Sequence, residues 1–379
     1  MTTTLPLWPT VEAFLAAERP EEPVFLLSPA AVTAGARRYL DAFPGLVTFA
    51  VKSNPEPAVL IGLIAAGVKG FDVASAEEIR LIRSLAPEAA LHFHNPVKTR
   101  AEMRLAHAEG VRTYAVDSRA ELAKIAETLP AEGVELSIRF RLAVSGAAYD
   151  FGSKFGATEA EAVALLAEAA RLGFTPSLTF HPGTQCRDPE AWRAYVLAAG
   201  RIARAAGVAP ARLNVGGGFP GAEAGAPPLS RFFATIETAV DEAFPEGRPA
   251  LVCEPGRGLV SGAMALAAQV RLVREDGAVF LDDGVYGGLA ESPLTRELPP
   301  VRAVRPDGAP VAGEAAPRTV FGPTCDSMDR LPGAPLLPEG LAEGDWLIFE
   351  GLGAYGTATV TRFNGFGPRR TELCARLAA

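Results

Sequence analysis

Long apolar runs are missing from this 379-residue chain. No stretch approaches the roughly 20 consecutive apolar residues that a helix needs to cross a bilayer, so a helical membrane span is not expected. The opening segment MTTTLPLWPT has no basic stretch followed by an apolar one, so no secretory leader is expected either. Cysteine is scarce: Cys186, Cys253, Cys325 and Cys374 lie far apart and form no CxxC pair. That argues against a disulfide framework and suits reduced thiols in the cytoplasm. Histidine is scarce too, with four residues at no ligand-like spacing, so no metal site is expected. An excess of positive charge is absent: 36 Lys+Arg against 44 Asp+Glu give a net charge of −8. This balance favours solubility and argues against non-specific nucleic-acid binding. Repeats, charge blocks and low-complexity tracts are also absent.

What is present is an apolar fraction of 49%, enough for a large core in two or three domains. From about residue 28 to 260, short apolar strands alternate with longer Ala-rich helical patterns. The strands are LVTFAV (46–51), GFDVA (70–74), LHFHN (91–95), TYAVD (113–117), LSIRFRL (136–142), SLTFH (177–181), RLNVG (212–216) and LVCEP (251–255). Between them AVLIGLIAAG, AEEIRLIRSL, RAELAKIAETL and TEAEAVALLAEAARLG have helical period, and several end on glycine. Strands alternating with helices predict a parallel sheet, and eight of them predict a closed (β/α)8 barrel over 28–260. After residue 260 the texture changes to QVRLVRE, AVFLDDGVYG, VRAVRP, RTVFGPT, DWLIFEG and ATVTRFNGF, short strands between Gly/Pro/Asp turns. These predict a second, antiparallel β-domain made of 261–379 with 1–27.

In such a barrel, reactive groups sit at the C-terminal ends of the strands. The first strand ends on Lys52, the second carries Asp72, the third His94-Asn95 and the fourth Asp117. The fifth carries Arg139 and Arg141, the sixth His181, the seventh Gly216-Gly217-Gly218, and the eighth Glu254 followed by Gly256-Arg257. Any one of these alone reads as a solvated loop residue, and NVGGGFPG alone reads as a tight turn. A polar or glycine end on all eight strands reads as a ring around one mouth. Adjacent glycines let backbone N–H groups approach an anion, and a guanidinium beside two glycines in EPGRG suits a phosphate. The glycine stretch is not GxGxxG, so a dinucleotide fold is not indicated. A lysine condenses with an aldehyde, a carboxylate keeps a pyridine nitrogen protonated, and the flat ring of His181 stacks on an aromatic. Phosphate, aldehyde and pyridine together specify pyridoxal 5′-phosphate.

At this point the sequence resembles the fold-type III pyridoxal-phosphate-dependent amino-acid decarboxylases, the ornithine/diaminopimelate decarboxylase group, and its ornithine branch in particular. The resemblance runs along almost the whole chain through FAVKSNPE, GFDVASAEEI, SKFGAT, FHPGTQ, NVGGGFPG, EPGRGLV, LDDGVYGG, FGPTCDSMDRL, GDWLIFEGLGAYG and RFNGF. It implies a cofactor-binding barrel with a β-domain. It also implies Lys52 as the lysine that holds the cofactor covalently, with Asp72 beside it. His181 would stack on the pyridine ring and Glu254 would pair with its nitrogen. Thr184, Gly217, Gly218, Gly256, Arg257 and Tyr355 would surround the phosphate. Active sites of this group lie at a homodimer interface, where Cys325 would give the proton to Cα. Asp326 would bind the substrate's distal ammonium, with Phe363 lining that pocket. Lys154 and Asp329 would bridge the subunits.

Two departures bear on specificity. The phosphate loop reads HPGTQ, with Pro182 and Thr184 where many members have serine, though the hydroxyl is kept. After DGVYGG the ornithine enzymes commonly place an aspartate, whereas here LAESPL offers Glu291. Diaminopimelate decarboxylases typically have glutamate after the cysteine; Asp326 favours a distal cation instead. The resemblance therefore implies L-ornithine going to putrescine, the entry to polyamine biosynthesis, with lysine, diaminopimelate or a modified amino acid as alternatives. A racemase of the alanine type would carry arginine where Glu254 stands. A non-catalytic homologue would be expected to have lost Lys52, Cys325 or the phosphate loop.

Overall fold

A computed structural model describes residues 6–148, 152–221 and 226–378. The described residues divide into two units: residues 36–52 with 63–259, and residues 1–35, 53–62 and 260–379.

The first unit is a closed barrel of eight parallel strands. They are Leu46–Ala50, Gly70–Val73, Ala90–Phe93, Thr113–Val116, Glu135–Arg139, Thr175–Thr179, Arg212–Asn214 and Ala250–Cys253, and the last closes on the first through Val252 and Cys253 opposite Leu46 and Val47. Each strand lies where the apolar runs place it, and most stop one or two residues earlier. Lys52, His94, Asp117, His181 and Glu254 lie beyond the last paired residue of their strands, whereas Asp72 and Arg139 are still within the ladder. Helices follow the strands, with boundaries set by local chemistry. Ser75 accepts from Glu78 N and caps Ala76–Leu85, and Thr158 forms a capping box with Glu161 at the start of Glu159–Arg171. Pro189–Ala206 starts on Asp188 and stops at Gly207 in the left-handed region, φ 65°.

A buried ion pair ties two of the strand-end loops together. Lys98 is fully buried after the third strand, and its Nζ donates to the carbonyls of Asn95 (2.8 Å), Pro96 (3.2 Å) and Ala115 (2.6 Å). It lies 3.5 Å from Glu121 on Arg119–Ala126, whose other oxygen meets Lys124 at 2.5 Å. Burial pushes Lys98 down to about 8, and the Glu121 charge holds it from falling further.

The second unit is a sheet running Leu7–Thr10, Thr371–Arg376, Val24–Leu27, Met264–Val273, Val279–Leu281 and Val320–Phe321, with Trp346–Phe349 joining Met264–Val273 to Val301–Val304. The sheet is mixed rather than antiparallel throughout. The pairs around Met264–Val273 and Trp346–Phe349 are antiparallel where Val24–Leu27, Val279–Leu281 and Val301–Val304 meet them. Thr371–Arg376 instead runs parallel to both Leu7–Thr10 and Val24–Leu27. Strands from opposite ends of the chain need no hairpin between them, so either direction is open to them. The segment ATVTRFNGF is not a strand. Thr359 Oγ1 donates to Tyr355 O at 2.5 Å, Thr361 donates from N and Oγ1 to Tyr286 O, and Asn364 is left-handed at φ 53°. Hydroxyl-to-backbone bonds replace a ladder here despite the β-branched residues. Helix Val11–Glu18 packs Val11, Phe14 and Leu15 into a core with Val24, Leu26, Ile348 and Trp346. Arg302 fastens the edges of that core by bonding Glu12 (2.6 Å), Glu350 (2.8 Å) and Leu377 O (2.9 Å).

Glu121→Ala would remove the anion that keeps the buried Lys98 charged, leaving its amine among carbonyls alone with a proton affinity that falls further. We expect a loss of about 3–5 kcal/mol in urea unfolding, whereas removing an exposed pair such as Arg37–Asp41 should cost under about 1 kcal/mol.

Candidate active site

The barrel gathers its charged strand-end residues into one cluster. Lys52 sits in the short 3-10 turn Val51–Ser53 that follows the first strand, with its side chain exposed. Asp72, opposite Ala50 in the ladder, is 9% exposed. Burial pushes its carboxyl up to about 7, the Glu254 charge adds to this, and Lys52 and His94 pull the other way. Glu78, which accepts from Ala74 N at 2.6 Å, also feels Lys52; burial is the main cause of its raised value. The lysine therefore faces two carboxyl groups rather than the one expected.

Glu254 follows the eighth strand. Its Oε1 accepts from Asn214 Nδ2 at 2.6 Å and pairs with His94 Nδ1. Burial alone would raise this carboxyl, but the His94 charge and hydrogen bond, His92 and the Asn214 amide hold it down at about 2. Burial works against the His94 cation as well, yet Glu254 lifts it above its ordinary value. The two shifts are opposite and mutual, so the pair stays charged from above about pH 2 up through the raised His94 value. His92, on the third strand, lies below His94, which follows that strand, ring centroids 5.2 Å apart, and is pushed down to about 3 by burial and then by His94. Donor atoms of His92, His94 and Glu254 all lie within 4.8 Å of one another. Spacing along the sequence could not show this, since the third and eighth strands meet only in the closed barrel.

His181 follows the sixth strand. Its Nδ1 accepts from Gly183 N at 3.1 Å, and burial, then Lys52 and Arg139, hold the ring neutral, well below the usual range. The glycine turn is locked to Glu254: Asn214 Oδ1 accepts from Gly216 N, and Gly216 O accepts from Glu254 N, both at 2.9 Å. Gly216 and Gly218 have φ of 68° and 86°, and a Cβ on them would strike Phe180 O and Gly183 O respectively. A Cβ on Gly217 would stand 2.6 Å from Glu254 O and 3.3 Å from His181 Nε2. Thr184 is buried beside this turn, where Cys186 N donates to Gly218 O at 2.8 Å. Gly256 is buried and Arg257 opens the short helix Arg257–Val260. Of the two candidate arginines, Arg139 carries the interactions with Glu254, Asp72 and Asp117, while Arg141 is exposed and donates to Gly152 O.

This donor set fits pyridoxal phosphate. An exposed amine, a neutral imidazole ring, an ionised carboxylate and a turn in which only glycine fits are the groups that an aldehyde, an aromatic ring, a ring nitrogen and a phosphate require.

The sheet unit assembles its own cluster. Cys325 is exposed, and its N donates to Asn364 Oδ1 at 3.1 Å. The Tyr286 hydroxyl donates to Asp326 Oδ2, and the Tyr286 ring packs on Phe363 with centroids 4.8 Å apart. The Met328 amide and then Tyr286 hold the Asp326 carboxyl below its usual range. Tyr286 and Asn364 lie inside quoted motifs, yet sequence reasoning assigned them nothing. Asp329 is buried and already accepts from Val285 N, Thr324 N and Thr324 Oγ1, pinning this loop to DGVYGG. Lys154 lies over the Phe155 ring. Glu291 caps the short helix Ser292–Thr295, its carbonyl accepting from Leu294 N and Thr295 N. Tyr355 is left-handed at φ 60°, and its N donates to Ser53 O at 2.7 Å.

Residues 30–261 match the family model of the pyridoxal-dependent decarboxylase, pyridoxal binding domain. The chain belongs to the pyridoxal-dependent decarboxylases: it is an amino-acid decarboxylase whose cofactor is pyridoxal phosphate. It is 32% identical over 353 residues to the ornithine decarboxylase of Mus musculus, covering 87% of this chain and 75% of that one. The arginine decarboxylase of Paramecium bursaria Chlorella virus, solved with agmatine, matches with a TM-score of 0.87 at 29% identity over 96% of this chain and 99% of the other. The lysine/ornithine decarboxylase of Vibrio vulnificus, solved with putrescine, matches with a TM-score of 0.81 at 28% identity, covering 96% of each.

Gly218→Ala places a side chain at a left-handed φ and against Gly183 O. We expect pyridoxal phosphate affinity, measured by equilibrium dialysis, to fall at least tenfold, with the far-UV circular dichroism of the barrel retained.

Proposed function

We propose that this chain decarboxylates a basic L-amino acid, L-ornithine before the others, releasing putrescine and CO2. The observation that carries this reading is Asp326. It is a carboxylate held in its charged form beside the exposed thiol of Cys325, with Tyr286 and Phe363 forming the wall next to it. A distal ammonium group needs such an anion, and a substrate with a distal carboxylate would be repelled by it. The relatives named for ornithine, lysine/ornithine and arginine decarboxylation support a basic substrate.

In this reading Lys52 is the residue that would hold the cofactor's aldehyde carbon, the position for which the substrate's amine would compete. Asp72 and Glu78 oppose the lysine's charge. His181, neutral, covers the ring face, and Thr184, Gly217, Gly218, Gly256 and Arg257 bind the phosphate together with Tyr355. Glu254 holds the ring nitrogen's proton. The bound pyridoxal ring serves as the sink for the electron pair left when the bond from Cα to the carboxylate breaks. Cys325 then gives its Sγ–H proton to Cα. Asp326, Phe363 and Glu291 read the distal end of the substrate.

The working enzyme is a homodimer in which Cys325 and Asp326 of one subunit serve the barrel of the other. The apolar residues exposed around that loop, Met328 (73%) and Phe363 (43%), support an interface there. The four unpaired cysteines fit a reducing cytoplasm.

Purified protein supplied with cofactor and, separately, L-ornithine, L-lysine, L-arginine and meso-diaminopimelate should release CO2 fastest from ornithine, with the amine identified by mass. Faster turnover of arginine or lysine would move the assignment to that substrate, and turnover of diaminopimelate alone would remove Asp326 from its role. Lys52→Ala should abolish both turnover and the absorbance band of the covalently held cofactor. Asp326→Asn should raise KM for ornithine at least tenfold while changing kcat less.

A further inference from the structure

Glu254 stands in a place where its charge needs an explanation. It is buried, and Asp72, a second carboxyl, is close enough to raise its own proton affinity in response. Burial and a like-charged neighbour both favour the protonated acid, and a neutral Glu254 could not hold a proton on a ring nitrogen. Two donors converge on a single oxygen, Oε1: the Asn214 amide from the seventh strand at 2.6 Å, and His94 Nδ1 from beyond the third. The two donor nitrogens lie 3.3 Å apart. The Asn214 amide is fixed in this sense because its Oδ1 accepts from Gly216 N. Asn214 thereby couples the carboxylate to the glycine turn, while His94 alone of the two brings a charge. Nε2 of His94 and Nδ1 of His92 have no hydrogen-bond partner among the described residues. No second acceptor therefore competes with Glu254 for the His94 ring.

We propose that His94 is a positioning residue of this decarboxylase: its Nδ1–H, with the Asn214 amide, fixes the Glu254 carboxylate on the inner wall of the barrel and thereby sets the protonation of the cofactor's ring nitrogen. This rests on the reading that Glu254 meets that nitrogen. The other titratable groups around the pair include Asp72 on the second strand, His92 on the third, Glu135 and Arg139 on the fifth, His181 after the sixth and Cys253 on the eighth. Asp72 and Glu135 favour a cation at His94, and Arg139 favours an anion at Glu254, but neither arginine nor aspartate donates a hydrogen bond to Oε1. His94 supplies both the bond and the charge.

The test uses holoenzyme reconstituted with pyridoxal phosphate labelled with 15N in the ring, whose NMR shift reports ring protonation directly, followed from pH 6 to 9. Wild type should stay protonated across this range. His94→Leu removes the bond and the charge, and should give a deprotonated ring with at least tenfold weaker cofactor binding by equilibrium dialysis. His94→Asn keeps an N–H donor near the Nδ1 position but carries no charge. It should restore most of the affinity while leaving the ring less protonated than in wild type across the range, the proton passing to Glu254 once the cation is gone, and it decides the matter if the leucine variant does not fold. A merely structural role would leave the 15N titration unmoved. Glu254→Gln is the control. If it shifts the titration and both His94 variants follow wild type, the role of His94 is overturned. If Glu254→Gln itself leaves the ring protonated, the reading of Glu254 fails and the inference fails with it.

Discussion

A carboxylate enclosed by a barrel survives as an anion only where the interior supplies compensating charge and hydrogen bonds. In this protein the rest of the barrel's reactive architecture depends on how that is done for Glu254. Charge–charge attraction inside protein offsets the cost of burying an ion pair only where geometry and hydrogen bonds are good. His94 and Asn214 supply two such contacts on Oε1. Asn214 then passes the constraint on through Gly216 to the glycine turn, and Gly218 passes it to the loop bearing Thr184 and Cys186. Carboxylate and phosphate-type loop are thus registered against one another by backbone bonds. Loss of one would be felt at the other.

The sheet unit solves a different problem, that of pinning the base of a loop while leaving its tip exposed. Asp329 is the anchor: buried, with both oxygens spent on Val285 and Thr324, it fixes the two ends of the loop that displays Cys325 and Asp326. Tyr286 and Asn364 complete the support from two neighbouring segments. A loop so held keeps an exposed thiol in one place at little entropic cost on use. The bridge expected between Lys154 and Asp329 would have to add to an aspartate already engaged in this work.

Much of the barrel was legible in the sequence because buried parallel strands read as continuous apolar runs, and all eight lie where those runs do. What was illegible has a common physical origin. Residues two apart on a strand share a face, so Arg139 and Arg141 could not be separated by pattern. The ladder ends at Arg139, which is why one points into the charged cluster and the other into solvent. His92 and His94, at the end of the third strand and just beyond it, come together with Glu254 after the eighth strand, a partner from remote sequence. ATVTRFNGF had the β-branched composition of a strand, but its threonine hydroxyls bond nearby carbonyls. The strand Thr371–Arg376 went unnoticed because its partners lie at the opposite end of the chain.

Specificity and chemistry therefore rest on different kinds of constraint. Glu254, His94 and Asn214 are joined by mutual contacts, so exchanging one of them would change proton affinities at the others. Asp326, by contrast, is half-exposed and held chiefly by one hydroxyl and one backbone amide. Its anion can be offered to an ammonium without dismantling a buried network. Such a contact also adapts to chain length: a longer substrate needs only a different approach to the same carboxylate, with Tyr286 and Phe363 as the adjoining apolar wall. Such a division, if it is shared, is compatible with one scaffold, at TM-scores of 0.81 and 0.87 to this chain, in enzymes named for arginine and for lysine and ornithine. On the proposed reading, the buried cluster supports the electron sink and the loop that bears Asp326 chooses the side chain.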